Sequence, residues 1–145
     1  RDPMAMLPFC GYNMGDYFRH WMNVGKRMTN PPRIYSVNWF RADENGKFIW
    51  PGFGDNIRVL KWIIERVHGE VGAEETAIGF VPKMKDLDLT GLNIPSEKIE
   101  KIISVNKAEW KEEVTDIDKF LSQFGEHTPA EMWNEYKSLA DKIGK

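Results

Sequence analysis

Apolar residues recur along this chain with the spacing of several helices and a few short strands. An apolar residue at every third or fourth position predicts helices over residues 16–28, 56–68, 107–124 and 129–143. A further short helix is expected after Pro95, and Asp55 is placed to cap the helix over 56–68. The buried stripe of that capped helix is predicted to consist of Ile57, Leu60, Ile64 and Val67.

Other segments have the alternating or short apolar patterns of strands. They are residues 33–40, 47–50 and 76–82. Asn45-Gly46, between the first two of these segments, is typical of a hairpin turn. Together the elements predict a mixed α/β (α+β) fold with few strands, about five helices and a helical tail over residues 95–145.

Length, composition and charge favour one ordinary globular domain. The chain has 145 residues, of which 41% are apolar and 29% charged, and no apolar run approaches membrane-spanning length. A formal net charge of −2 gives no reason to expect nucleic acid or an acidic membrane as a partner. Cys10 is the single cysteine, which excludes an internal disulfide or a cysteine zinc site and favours a reducing, cytoplasmic location.

Familiar catalytic and metal-binding motifs are missing from the sequence. It contains no G-x-x-x-x-G-K-S/T phosphate loop, no H-E-x-x-H zinc motif and no G-x-S-x-G nucleophile elbow. His20, His68 and His127 stand far apart and are expected to be solvated or packed. We therefore predict neither catalytic residues nor metal ligands within this chain.

Residues 38–56, "NWFRADENGKFIWPGFGDN", concentrate aromatic rings beside glycines. Aromatic rings stack on nucleobases, an asparagine amide can recognise a base edge, and glycines let the backbone approach a flat ligand. One interpretation is therefore a base pocket made by Phe40, Phe48, Phe53 and Asn56. The other is that the phenylalanines fill a core under the hairpin, and composition alone favours this second use.

The hairpin register separates these two interpretations. A two-residue turn at Asn45-Gly46 would place Phe48 opposite Asp43 and on the other face from Phe40. A three-residue loop with Gly46 in the left-handed conformation would place Phe48 opposite Ala42 and on the same face as Phe40. A shared base pocket requires the three-residue loop.

Longer stretches of the chain resemble a known enzyme family. "DPMAMLPFCGYNMGDY", "VNWFRADENGKFIWPGFGDNIRVLKWI", "AIGFVP" and "DLDLTGL" are similar, in this order, to the C-terminal part of GTP-dependent phosphoenolpyruvate carboxykinase. The similarity runs from Asp2 to about Leu92, and the helical tail also fits the family. It implies a single partial domain, with residues 1–14 following a mobile lid and residues 33–56 forming a guanine-binding hairpin and turn.

The resemblance also implies an activity and a set of site residues. The family converts oxaloacetate and GTP to phosphoenolpyruvate, CO2 and GDP, a decarboxylation and phosphoryl transfer that serves gluconeogenesis. By this resemblance the guanine would be held by residues of the turn and its flanking aromatics: Trp39, Phe40, Phe48, Pro51, Phe53, Gly54, Asp55 and Asn56. The resemblance thus favours the base pocket over the core.

The parts of the family that carry out the chemistry are expected upstream of this chain. They are the phosphate-binding loop, the Mn²⁺ ligands and an oxaloacetate-binding arginine, so the chain alone is expected to be inactive. The parent enzyme is expected to be monomeric, and the apolar residues 1–12 are expected to promote self-association of the fragment. The alternative function is a stand-alone nucleotide- or protein-binding module without catalysis.

The sequence departs from the family at three positions. Leu7 stands where the family commonly has arginine, and Cys10 and Met14 stand where it commonly has phenylalanine. These positions flank the expected lid hinge, so they bear on packing and lid closure rather than on nucleotide choice.

Overall fold

The computed structural model describes Asp2 and residues 5–144, so Arg1, Pro3 and Met4 of the predicted post-lid segment lie outside the described residues. The chain divides into two compact units, Arg1–Pro32 with Asn106–Lys145, and Arg33–Val105. The described helices are α1 (Met14–Arg27), α2 (Asn56–His68), α3 (Ser96–Ile103), α4 (Lys107–Ser122) and α5 (Ala130–Gly144). The strands are β1 (Glu74–Thr76) and β2 (Gly79–Val81), which confirms the predicted mixed α/β class.

The first unit packs around the start of α1. Met14 and Phe18 are buried with Phe124, and the rings of Phe18 and Phe124 lie edge to face with centroids 5.7 Å apart. Asn13 caps α1, since its side-chain oxygen accepts from the Gly15 N–H at 2.8 Å. The Asn13 side-chain amide also donates to the Phe124 carbonyl at 3.2 Å, which ties the cap to the turn that follows α4.

Gly15 is required by a close approach between α1 and residue His127. A Cβ at Gly15 would lie 2.5 Å from the His127 carbonyl carbon, whereas a Cβ at Gly25, in the same helix, would meet nothing within 4 Å. We expect Gly15→Ala to lower the free energy of unfolding by about 1–3 kcal/mol through overpacking. Gly25→Ala should raise it by about 0.5–1 kcal/mol, because alanine loses less backbone entropy in a helix.

Urea unfolding of the two alanine variants beside the unaltered chain measures the difference. Equal stability of the two variants would show that α1 and the His127 backbone do not meet this closely.

The second unit contains the two-stranded antiparallel sheet and helices α2 and α3. Glu74 pairs with Val81 and Thr76 with Gly79, so a tight hairpin joins the strands. The residues buried in this unit are Ile49, Trp50, Trp62 and Ile99.

The prediction of strands over residues 33–40 and 47–50 is wrong. Residues 33–38 have no regular structure, and the described part of the chain contains only an isolated bridge between Ala42 and Phe48 in this region. Alternation of apolar residues makes a strand only where a partner strand supplies hydrogen bonds, and none pairs with residues 33–40 in the described structure. The strand predicted over 76–82 is confirmed in part, as β2 with the last residue of β1.

The bounds of α2 are confirmed, but its predicted buried stripe is wrong. The four apolar side chains of that stripe are exposed, and the buried residue of α2 is Trp62. Periodicity identifies residues that share a helix face, but burial needs other side chains to cover that face, and the described residues of this unit leave it open. No helix of the described residues combines the length and the apolar character needed to cross a bilayer.

Candidate functional site

The hairpin of residues 41–49 has the register with a three-residue loop. Ala42 bridges Phe48, and the Ile49 N–H donates to the Arg41 carbonyl at 2.9 Å. Gly46 has a φ of +75°, the left-handed conformation that this loop demands. The register places Phe40 and Phe48 on one face, and their ring centroids lie 5.6 Å apart at an interplanar angle of 61°.

Asp43 holds the loop together and joins it to α3. Its Oδ1 accepts from the N–H groups of Asn45 at 3.0 Å and Lys47 at 3.1 Å, and its Oδ2 accepts from Lys98 Nζ at 3.1 Å. The hydrogen bond from Lys98, followed by that from the Lys47 N–H, lowers the pKa of Asp43 below its usual range. Arg41 adds hydrogen bonds to two carbonyls at the C-terminal end of α3.

We expect Asp43→Ala to destabilise the second unit and to loosen the Phe40–Phe48 pair. Asn45→Ala is the control, because it keeps the backbone N–H that Asp43 binds. Since folding lowers the pKa of Asp43, its contribution is present above the unfolded pKa of about 3.9 and is lost as pH falls through the lower folded pKa. The stability gap between Asp43→Ala and the unaltered chain should therefore close below about pH 4, and a gap that persists in acid would contradict this role.

The three phenylalanines of this segment do not fill a core. Phe40 is 69% exposed, Phe48 is 57% exposed and Phe53 is 99% exposed. The buried side chains of the segment are Ile49 and Trp50. Within the described residues the phenylalanines therefore do not plug a core under the hairpin, and their three rings are exposed.

Phe53 has an unusual backbone conformation as well as an exposed ring. Its φ is +47°, and it follows Gly52, whose φ of 76° and ψ of −166° lie in a region open only to glycine. A left-handed conformation at a residue with a Cβ costs roughly 1–2 kcal/mol. No aromatic ring of the described residues contacts Phe53, and its ring is almost fully exposed. Packing within this unit therefore does not offset the unfavourable free energy of the left-handed conformation.

Asn56 is the first residue of α2 and makes a side-chain hydrogen bond to Trp50. The Trp50 Nε1 donates to the Asn56 Oδ1 at 2.9 Å, and the Trp50 ring is buried. The side-chain nitrogen of Asn56, Nδ2, has no hydrogen-bond partner among the described residues. Sequence reasoning missed Trp50, although a buried indole N–H usually pairs with an acceptor and Asn56 lies only a few residues away.

Asp55 does not cap α2, which corrects the prediction. It belongs to the 3-10 turn Phe53–Asp55, whose helical backbone runs directly into α2, and its side chain makes no capping hydrogen bond. Its Oδ1 instead accepts from Arg58 Nε at 2.9 Å.

Arg58 and Lys61 fix the 83–92 loop to α2. Arg58 Nη1 donates to the Asp88 carbonyl at 2.7 Å, and Lys61 Nζ lies 3.1 Å from Asp88 Oδ2. The hydrogen bond from Lys61, together with those from Thr90, lowers the pKa of Asp88 to about 2. The first turns of α2 are thus held by hydrogen bonds to a loop that follows the helix in the sequence.

The remaining predicted site residues, Trp39, Pro51 and Gly54, differ in their exposure. Trp39 is half-buried, and Pro51 and Gly54 are exposed. Asn38 turns the chain, since its Oδ1 accepts from the Phe40 N–H at 3.0 Å. Gly54 needs no glycine conformation and meets nothing within 4 Å, so the described residues alone do not explain a glycine there.

A metal site does not fit the described residues. They contain no group of three or more histidine, cysteine, aspartate or glutamate side chains arranged to hold a metal ion. We assign no metal ligand to them.

Comparison with known proteins identifies the family. The family "Phosphoenolpyruvate carboxykinase C-terminal P-loop domain" matches residues 1–142. The chain belongs to the GTP-dependent phosphoenolpyruvate carboxykinase family. The resemblance found in the sequence is thereby confirmed, and it extends through the helical tail.

Curated members of the carboxykinase family are similar over almost the whole chain. The phosphoenolpyruvate carboxykinase (GTP) of Thermoplasma volcanium is 47% identical over 144 residues, which cover 99% of this chain and 24% of that protein. That of Paenarthrobacter aurescens is 48% identical over 147 residues, with the same coverage. That of Corynebacterium jeikeium is 46% identical over 143 residues, covering 98% of this chain and 24% of its own length. The chain thus spans about a quarter of the length of these carboxykinases.

Proposed function

We propose that this chain is the guanine-binding part of a GTP-dependent phosphoenolpyruvate carboxykinase, which converts oxaloacetate and GTP to phosphoenolpyruvate, CO2 and GDP. Its relatives carry that enzyme's name. The observation that supports the site most strongly is the exposure of Phe40, Phe48 and Phe53 in the segment that ends at Asn56, whose side-chain amide has unused donors.

The pocket would work by stacking and by recognition of one base edge. The Phe40–Phe48 pair offers a rigid aromatic surface, because its hairpin is held to α3 by Asp43 and Arg41. The exposed Phe53 ring would gain its first aromatic partner from a bound base. Stacking of this kind contributes about 1–3 kcal/mol per base without choosing between bases, so Asn56 would supply the choice.

The remaining parts of the reaction are proposed to lie outside the described residues. Mn²⁺, the phosphates and oxaloacetate would be held by other parts of the full-length protein, since the described residues provide no metal site. We further propose a cytoplasmic enzyme that acts in gluconeogenesis or anaplerosis. The chain alone would bind nucleotide weakly and catalyse nothing.

The test is an assay of the full-length protein for phosphoenolpyruvate formation from oxaloacetate with GTP or ATP. We expect activity with GTP, little with ATP, and an increase in KM for GTP in Phe40→Ala. Equal use of the two nucleotides would contradict the proposed guanine pocket. Selective binding of GTP without turnover would favour the alternative, a binding module without catalysis.

We also propose that the isolated chain self-associates. Leu7, Phe9 and Tyr12 are exposed, and exposed apolar patches promote association. Sedimentation should show a molecular mass that rises with concentration, and Phe9→Ser should reduce the rise. A monomer over a wide concentration range would contradict this expectation.

A further inference from the structure

We propose that Trp50 is a positioning residue that sets the purine preference of the site by holding the Asn56 carboxamide in one orientation. The proposal rests on the proposed function, because it assigns a role within the guanine pocket. It goes further by placing the origin of base choice in a buried side chain that no ligand needs to touch.

The chemistry of the indole decides which end of the carboxamide faces Trp50. An indole N–H only donates, so the atom that it meets 2.9 Å away must be the acceptor Oδ1 of Asn56 and not the Nδ2 amide. Trp50 is 8% exposed, so water does not replace a lost partner. A half-turn of the carboxamide would set donor against donor and leave the indole unsatisfied. The observed orientation should therefore be favoured at least about tenfold.

The consequence is that Asn56 turns its Nδ2 donors, and not its oxygen, away from Trp50. Its Oδ1 accepts from Trp50 with one of its two lone pairs, and its Nδ2 has no partner among the described residues. Guanine carries an acceptor oxygen at position 6 of the ring, whereas adenine carries an amino group, a donor, at the same position. A free asparagine side chain could turn to suit either base, but an asparagine held by Trp50 suits the 6-oxo purine.

The second unit contains a matched control. Trp62 is also buried, at 4% exposure, and its Nε1 is without a hydrogen-bond partner in the described structure. Its ring contacts Tyr35, with centroids 6.1 Å apart. Trp62→Phe therefore removes the same bulk from the same unit without releasing Asn56.

The experiment compares Trp50→Phe and Trp62→Phe in the full-length protein. Dissociation constants for GDP, IDP and ADP are measured by calorimetry, and thermal unfolding shows that each variant is folded. We expect the preference for GDP over ADP to fall about tenfold in Trp50→Phe, because the carboxamide can then turn its oxygen outward. The ratio of GDP to IDP should not change, since both bases carry the 6-oxo group, and Trp62→Phe should keep both ratios.

Each other outcome bears on a different claim. An unchanged preference for GDP over ADP in folded Trp50→Phe would overturn the positioning role while leaving the guanine pocket intact. An unaltered protein that does not prefer GDP to ADP would overturn the proposed function and this inference with it.

A second measurement serves if Trp50→Phe does not fold. In NMR spectra of the unaltered protein, the Trp50 indole proton should show only weak cross-peaks to the Asn56 amide protons, because Oδ1 lies between them. Strong cross-peaks would show the opposite orientation and overturn the proposal.

Discussion

Replacing Phe53 by alanine is expected to weaken GDP binding by the full-length protein about 5- to 150-fold, which corresponds to the loss of roughly 1–3 kcal/mol of stacking. The free energy of unfolding should stay within about 0.5 kcal/mol, because the ring is 99% exposed and buries nothing within the described unit. A large loss of GDP affinity without a loss of stability would indicate that the Phe53 side chain contributes to ligand binding and not to folding.

Phe53→Asn provides the matched comparison. Asparagine tolerates the left-handed conformation that Phe53 adopts at a φ of +47°. It should therefore raise stability by up to about 1 kcal/mol while losing as much binding as the alanine variant. Calorimetry for binding and urea unfolding for stability measure the two effects. Unchanged GDP affinity in both variants would remove Phe53 from the site.

Asn56→Asp is expected to lower GDP affinity by about a hundredfold or more, from the lost hydrogen bond and from repulsion between the carboxylate and the base oxygen. The new carboxylate can still accept the hydrogen bond from Trp50, and an acidic residue is favourable in the first turn of a helix. Stability should therefore be kept, and the affinity for ADP should fall much less than that for GDP.

Asn56→Ala separates the two roles of the asparagine. It removes the donors and also leaves the buried Trp50 N–H without an acceptor, so it should cost about 1–3 kcal/mol of stability in addition to the lost binding.

Tighter GDP binding in Asn56→Asp than in the unaltered protein would show that Asn56 meets donor groups of the base. That result would contradict the orientation assigned here.

Apolar spacing, flanking residues and turn chemistry are enough to predict the helices and the two possible registers of the hairpin. The bounds of α2 and the start of α3 after Pro95 follow from their apolar spacing and flanking residues. The two possible registers around Asn45-Gly46 were also deducible from turn chemistry, and the structure selects the one with Gly46 in the left-handed conformation. These features depend on neighbours in sequence, which the sequence displays directly.

Features that depend on distant partners were not deducible. Residues 33–40 alternate like a strand but lack a partner strand in the described structure, and the apolar face of α2 lacks a covering layer there. The commitment of the Asn56 oxygen to Trp50 was missed because it depends on which side chains become buried. The pattern showed which residues could recognise a base, but not which end of the amide faces it.

The most direct test of the guanine pocket is an NMR titration of the 145-residue chain with GDP and, separately, with ADP. Without a phosphate site we expect weak, saturable GDP binding with a dissociation constant of about 1 mM or higher. The shifts should concentrate on the rings of Phe40, Phe48 and Phe53 and on the Asn56 amide. Equal shifts with ADP, or GDP-induced shifts confined to other residues, would contradict the account.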